Sequence, residues 1–175
     1  MLEATLDTAT NPGQRWWCFG AEDIPGATWA TAQSGYTAAD MAAVIDARLA
    51  AYPVYVFMPT DVIVGYGAND CKNAGTIASY AASMAYIVDA VHAKWPLARI
   101  WLTTAYRGGY SMSIFDGFYA DNEVIRAARS GYVFHGDDER AWFYPNLATY
   151  STDEVHFNSA GRAAKVAAVK TAMGF

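Results

Sequence analysis

The chain has 175 residues, enough for one domain with a sizeable core, and with 54% hydrophobic and 17% charged residues it is not a disordered chain. Twelve Lys and Arg against seventeen Asp and Glu leave a formal charge of −5 with no basic run, so no nucleic-acid partner is expected. No apolar run approaches the ~20 residues of a membrane span, and residues 1–7 show no basic stretch leading into an apolar one, so a soluble domain without membrane contact or signal peptide is expected, its compartment left open.

Strand and helix signals alternate, the pattern of a layered α/β domain. Residues 27–33 read as a strand ending at Ser34-Gly35. Thr37 then offers a helix N-cap with Asp40 as an acidic version of the capping box. Met41, Val44, Ile45 and Leu49 follow at helical spacing. Asp61–Tyr66 is a short apolar run suited to a strand buried on both faces. Ile77, Tyr80, Ala81, Met84, Ile87, Val88 and Val91 fall on one stripe of a long helix, which stops before Pro96 because a proline pushes the preceding residue out of helical conformation. Residues 98–104 form the next strand, Phe118, Tyr119, Asn122, Ile125 and Arg126 mark another helix, and residues 131–135 a further short strand. The last helix covers Ser159–Met173, with Ser159 as its cap. Residues 104–116 and 136–152 read as irregular and are the expected pocket walls, since loops at the carboxyl ends of parallel strands are where ligands bind.

Cys18 and Cys71 form no CxxC pair and read as unpaired thiols packed as small hydrophobes. His92, His135 and His156 have no metal-ligand spacing, so no metal is expected.

Two short motifs carry chemistry. Gly67-Ala68-Asn69-Asp70 follows an apolar strand, where an Asn amide can donate to a developing oxyanion. Asp153-Glu154-Val155-His156 precedes the last helix, where an Asp can orient one imidazole nitrogen while the other serves as base. Either alone reads as a turn. Their order and spacing, together with Gln33-Ser34-Gly35-Tyr36-Thr37, resemble the second, third and last blocks of the SGNH (GDSL-type) hydrolase superfamily over essentially the whole chain.

That resemblance implies a flavodoxin-like three-layer α/β/α sandwich with a mainly parallel sheet, and hydrolysis of carboxylic esters, carbohydrate acetyl esters or short acyl esters among them. It implies Gly35 and Asn69 as oxyanion donors, His156 as base and Asp153 as its orienting partner. The first block departs from the family. No Gly-Asp-Ser occurs in the chain, and Cys18-Phe19-Gly20-Ala21-Glu22 is the nearest imitation, without a hydroxyl. A truncated product, a degenerate domain and a substitute nucleophile compete as explanations. Ser34 is the substitute on offer, but it belongs to the oxyanion block, so its hydroxyl is expected to lie beyond reach of His156 and the chain to turn over little ester. A lost first strand would leave an unpaired sheet edge that invites dimerisation. The rival to an esterase is an inactive hydrolase-like domain acting as a carbohydrate-binding or structural module.

Other residues have a bland reading beside a functional one. Arg107 with Gly108 and Gly109 could clamp an anionic or sugar hydroxyl group, or be a solvated loop. Trp142, ahead of Trp16, Trp17, Phe143 and Tyr144, could stack on a sugar or simply pack. Asp70 is expected to hold the Asn69 loop through local hydrogen bonds. Asp137, Asp138 and Glu139 read as a solvated turn. His92 reads as a helix-flank residue, and His135, at a strand end, could line the cleft.

Overall fold

The computed structural model describes residues 16–20, 29–30, 35–50 and 59–175. Strands β1 (Trp16–Gly20), β2 (Trp29–Ala30), β3 (Asp61–Tyr66), β4 (Arg99–Thr104) and β5 (Val133–Asp138) form one sheet in the order β2-β1-β3-β4-β5, every pair parallel. The register aligns their carboxyl ends: Gly20 lies opposite Gly65, Tyr66 opposite Thr104, and Thr104 opposite Asp138. Each loop that leaves this edge therefore starts level with its neighbours.

Alternation along the strands builds the layers. Val62, Val64, Ile100 and Leu102 face one way and pack with helices α1 (Ala38–Ala50), α2 (Ala74–Lys94) and α3 (Met112–Ala128) in the main core. Ile63 and Trp101 face the other way, against Val169 and Met173 of the last helix, α6 (Ser159–Met173). The result is the expected three-layer α/β/α arrangement.

Local signals explain most boundaries. Thr37 and Asp40 form the reciprocal cap of α1: the Thr37 backbone N–H donates to Asp40 Oδ2 at 2.9 Å, and the Asp40 N–H to Thr37 Oγ1 at 3.2 Å. Met41, Ile45 and Leu49 are buried on α1, as are Tyr80, Met84, Ile87, Val88 and Val91 on α2, which ends at Lys94, two residues before Pro96. Cys71 is a free buried thiol, as expected.

Several elements differ from the sequence reading. A strand over Trp16–Gly20, which the sequence reading does not mark, takes an interior place in the sheet, between β2 and β3. Of the strand read over residues 27–33, Trp29–Ala30 is strand and the remainder lies outside the described residues, as does Ser34. The 136–152 stretch is not irregular throughout, because β5 runs on to Asp138 and is followed by the short helices α4 (Glu139–Trp142) and α5 (Leu147–Tyr150). The cap of α6 is Asn158, whose side chain accepts from the Gly161 N–H at 2.9 Å, and Ser159 is the first helical residue. Among the described residues, no helix is long and apolar enough to cross a membrane.

Candidate active site

Asn69 sits in the turn after β3, and Asp70 fixes that turn. The buried Asp70 carboxylate accepts from the Ala38 N–H at 2.9 Å, in the first turn of α1, and from the Gly67 N–H at 3.0 Å. Burial pushes its pKa up to about 6, against the pull of these two bonds. The expectation that Asp70 holds the Asn69 loop agrees with the Gly67 bond, and the Ala38 bond adds an anchor to α1. Replacing Asp70 by Asn keeps one acceptor oxygen for two buried N–H donors. Asp70→Asn should therefore cost about 1–3 kcal/mol of stability, measured by urea unfolding.

Asn69 is oriented from both ends. Its Nδ2 donates to the Tyr36 carbonyl at 3.1 Å, and its Oδ1 accepts from Arg107 Nη1 at 3.4 Å, a long contact. A carbonyl can only accept and a guanidinium can only donate, so the amide has one allowed orientation. One Nδ2 hydrogen has no partner among the described residues. The bond to Tyr36 also brings Gly35, the next residue back along the chain, beside Asn69, with Gly35 in the left-handed region at φ 83.

The second half of the site is the loop ahead of α6. Asp153 Oδ2 lies 2.6 Å from His156 Nδ1, and its Oδ1 accepts from the backbone N–H groups of His156 at 2.7 Å and Val155 at 3.0 Å. The His156 ring first, then these N–H groups, hold the Asp153 carboxyl well below the usual aspartate range. An ionised carboxylate only accepts, so Nδ1 carries the proton and Nε2 is left free to take one. The His156 side chain is 71% exposed, open to a ligand. Glu154 is forced to φ 62 to close this loop, strain of the kind that collects at functional sites.

The segment after β4 joins the two halves. Arg107 reaches Asn69, and the N–H of Gly108 donates to the Glu154 carbonyl at 2.8 Å. A Cβ on Gly108 would lie 2.4 Å from Glu154 Cβ and 2.8 Å from its carbonyl oxygen, so no other residue fits without displacing the Asp153–His156 loop. Gly108→Ala should lose most of any activity that depends on His156 while the melting temperature falls by only a few degrees. Calorimetry and an ester assay on the same sample would check this. Arg107 itself lies 6.0 Å from the Tyr110 ring centroid and has no carboxylate partner among the described residues.

Trp142 is half-buried beside the same loop. Its indole N–H donates to Asp137 Oδ2 at 3.1 Å, and its ring packs with Phe143, Tyr150 and Phe157. The indole N–H is thus engaged inside the protein. His135 does not line the cleft: its Nε2 pairs with Glu123 Oε1 of α3 at 2.9 Å and its ring stacks on Tyr119. His92 stacks on Tyr132 at 3.6 Å.

The largest departure concerns residues 137–139. Asp137 and Glu139 are buried, not solvated, and both meet Lys165 of α6. Lys165 Nζ lies 2.8 Å from Asp137 Oδ2 and 2.7 Å from Glu139 Oε1. Thr103 Oγ1 donates to Asp137 Oδ1 at 2.8 Å, and the Tyr106 N–H donates to Glu139 Oε2 at 2.7 Å. The available signal was Lys165 itself, which repeats at helical spacing with Gly161, Val169 and Met173, the buried stripe of α6. No cluster of His, Cys, Asp and Glu suited to a metal occurs among the described residues.

A model of the GDSL-like lipase/acylhydrolase family matches residues 5–164. Among curated proteins no sequence matches this chain. The fold is similar to that of a family 3 carbohydrate esterase from Clostridium thermocellum (TM-score 0.65, 14% identity, 85% of this chain and 70% of that one). It is also similar to the psychrotrophic esterase EstA from Pseudoalteromonas (0.68, 13%, 92% and 97%) and to a lipase/acylhydrolase from Enterococcus faecalis (0.66, 16%, 92% and 96%). At these identities the likeness is one of fold.

Proposed function

Because this chain belongs to the GDSL-like lipase/acylhydrolase family, we propose that its site acts on carboxylic esters, short acyl esters or the acetyl esters of carbohydrates. His156 is the general base, Asp153 fixes its tautomer, and the Asn69 amide with the Gly35 N–H receives the oxyanion. The observation that supports this most is the exposed Asp153–His156 contact at 2.6 Å, closed at the expense of a left-handed Glu154. Arg107, beside Asn69, meets an anionic or hydroxyl group of the substrate. Trp142 contributes a wall of the cleft through its ring. This chemistry calls for no metal or organic cofactor.

The nucleophile is the weak half. Gly20 ends β1 and is followed by Ala21-Glu22-Asp23, with no hydroxyl or thiol. That favours slow turnover, in which His156 takes a proton from water as it attacks the ester carbonyl, and Ser34 is a bystander. The same absence supports the second reading, a domain that binds esters or carbohydrate and leaves them intact. Hydrolysis of p-nitrophenyl acetate by the parent chain, His156→Ala and Ser34→Ala separates the cases. Slow turnover lost with His156→Ala and kept in Ser34→Ala is expected. Loss with Ser34→Ala would make Ser34 the nucleophile, and no turnover by the parent chain above the uncatalysed rate would leave the binding reading standing. Asn69→Ala should reduce the same turnover by ~10²–10³-fold, the usual loss for an oxyanion donor.

A further inference from the structure

We propose that the buried Asp137–Lys165–Glu139 cluster is a positioning element: by holding the backbone N–H of Tyr106 it sets the Arg107-Gly108 segment, and through that segment both Asn69 and the Asp153–His156 loop. The inference rests on the ester-site reading for its purpose, though not for its geometry.

The contacts form one chain. Glu139 Oε2 accepts from the Tyr106 N–H at 2.7 Å, Arg107 Nη1 reaches Asn69 Oδ1 at 3.4 Å, and the Gly108 N–H reaches the Glu154 carbonyl at 2.8 Å. Three consecutive residues after β4 thus touch the buried cluster, the oxyanion turn and the histidine loop in turn. Thr103 fixes Asp137 from within β4, and the Trp142 indole fixes it from α4. A buried ionic triad is a poor route to stability alone, since apolar residues of like volume often serve as well. Its fixed acceptor geometry is what an apolar cluster could not supply to the Tyr106 N–H.

Glu139 divides its oxygens between two tasks, Oε1 to Lys165 and Oε2 to Tyr106. Only the ionised carboxylate performs both. Its protonated form, or a glutamine, offers one acceptor and one donor facing two donors. Burial raises the Glu139 pKa above the ordinary glutamate range, and Asp137 adds to the rise, while Lys165 and the Tyr106 N–H oppose it. These are the groups that face it from β5, α6 and the segment after β4. As pH falls through this titration the hold on Tyr106 is lost.

Amide hydrogen exchange on the full chain, corrected for its intrinsic pH dependence, tests the proposal. In the parent chain, amides 106–108 and 154–156 should become better protected as pH rises from 5 to 8. Glu139→Gln should accelerate their exchange by about tenfold at pH 8, the loss of roughly one hydrogen bond, and abolish the pH dependence. Amides of β3 and α2 should be unchanged, because glutamine leaves a neutral Lys165–Asp137 pair behind. Uniform acceleration across the chain would reduce Glu139 to a stabilising residue and overturn the proposal, as would a flat pH profile in the parent, which needs no variant to fold. A local effect in a chain that hydrolyses no ester would refute the proposed function and leave the positioning role intact.

Discussion

Ala21→Asp combined with Glu22→Ser is expected to raise p-nitrophenyl acetate turnover about 10³-fold over the parent chain. β1 ends at Gly20, in register with Gly65 of β3, so its carboxyl end lies at the same edge of the sheet from which the Asn69 turn departs. The double substitution writes the family's Gly-Asp-Ser there and supplies the hydroxyl that His156 lacks. Serine hydrolases without their nucleophile keep ~10³–10⁴-fold over water, whereas losing serine or histidine costs about 10⁶ in kcat, so a thousandfold gain is a modest recovery. Adding His156→Ala to the double variant should cancel the gain, because attack then has no base. A gain that survives His156→Ala, or no gain in a well-folded variant, would mean that position 22 is out of reach of His156.

Lys165→Met should destabilise the domain by about 3–5 kcal/mol near pH 8, the typical loss when one partner leaves a buried ion pair. Burial works against the Lys165 charge, but Asp137 and Glu139 outweigh it and raise its pKa, so the ammonium stays protonated throughout the useful range. Without it, Glu139 loses the charge that opposes the effect of its burial, and its pKa in the folded state rises further above the unfolded one. The folded state then binds more protons than the unfolded state, and stability falls as pH rises through that window. Guanidinium unfolding at pH 5 and pH 8 should show a small deficit at the lower pH and the full deficit at the higher. An equal deficit at both would mean that lost packing, not unpaired charge, is responsible.

What was legible in the sequence follows from how local the governing physics is. The cap of α1, the stripe of α2 and the stop before Pro96 depend on residues within a few positions of one another, and all are present. The Asp153–His156 contact is an i,i+3 pair and could be read directly. Asp137 and Glu139 could not, since an Asp-Asp-Glu run looks solvated until a lysine 26 residues beyond Glu139 is folded against it. β1 was missed for a related reason. Trp-Trp-Cys-Phe-Gly offers no alternation, and its strand character comes from pairing with Asp61–Gly65 on the far side of α1. The place of His135 stayed open in the sequence because its partner Glu123 lies on α3, beyond any sequence window.

The position of Lys165, 26 residues after Glu139 in chain order, bears on how the protein is made. A ribosome delivers Asp137 and Glu139 well before the ammonium that lets both enter the interior ionised, and the exit tunnel holds the newest residues back further. The carboxyl edge of β5 therefore stays open to water during synthesis, and the segment after β4 waits with it. Closure of the edge comes only once α6 has left the tunnel and packs against the sheet, carrying its charge with it. Nascent chains stalled before this point expose the Trp101 and Ile63 face that α6 covers, the surface a chaperone would meet first.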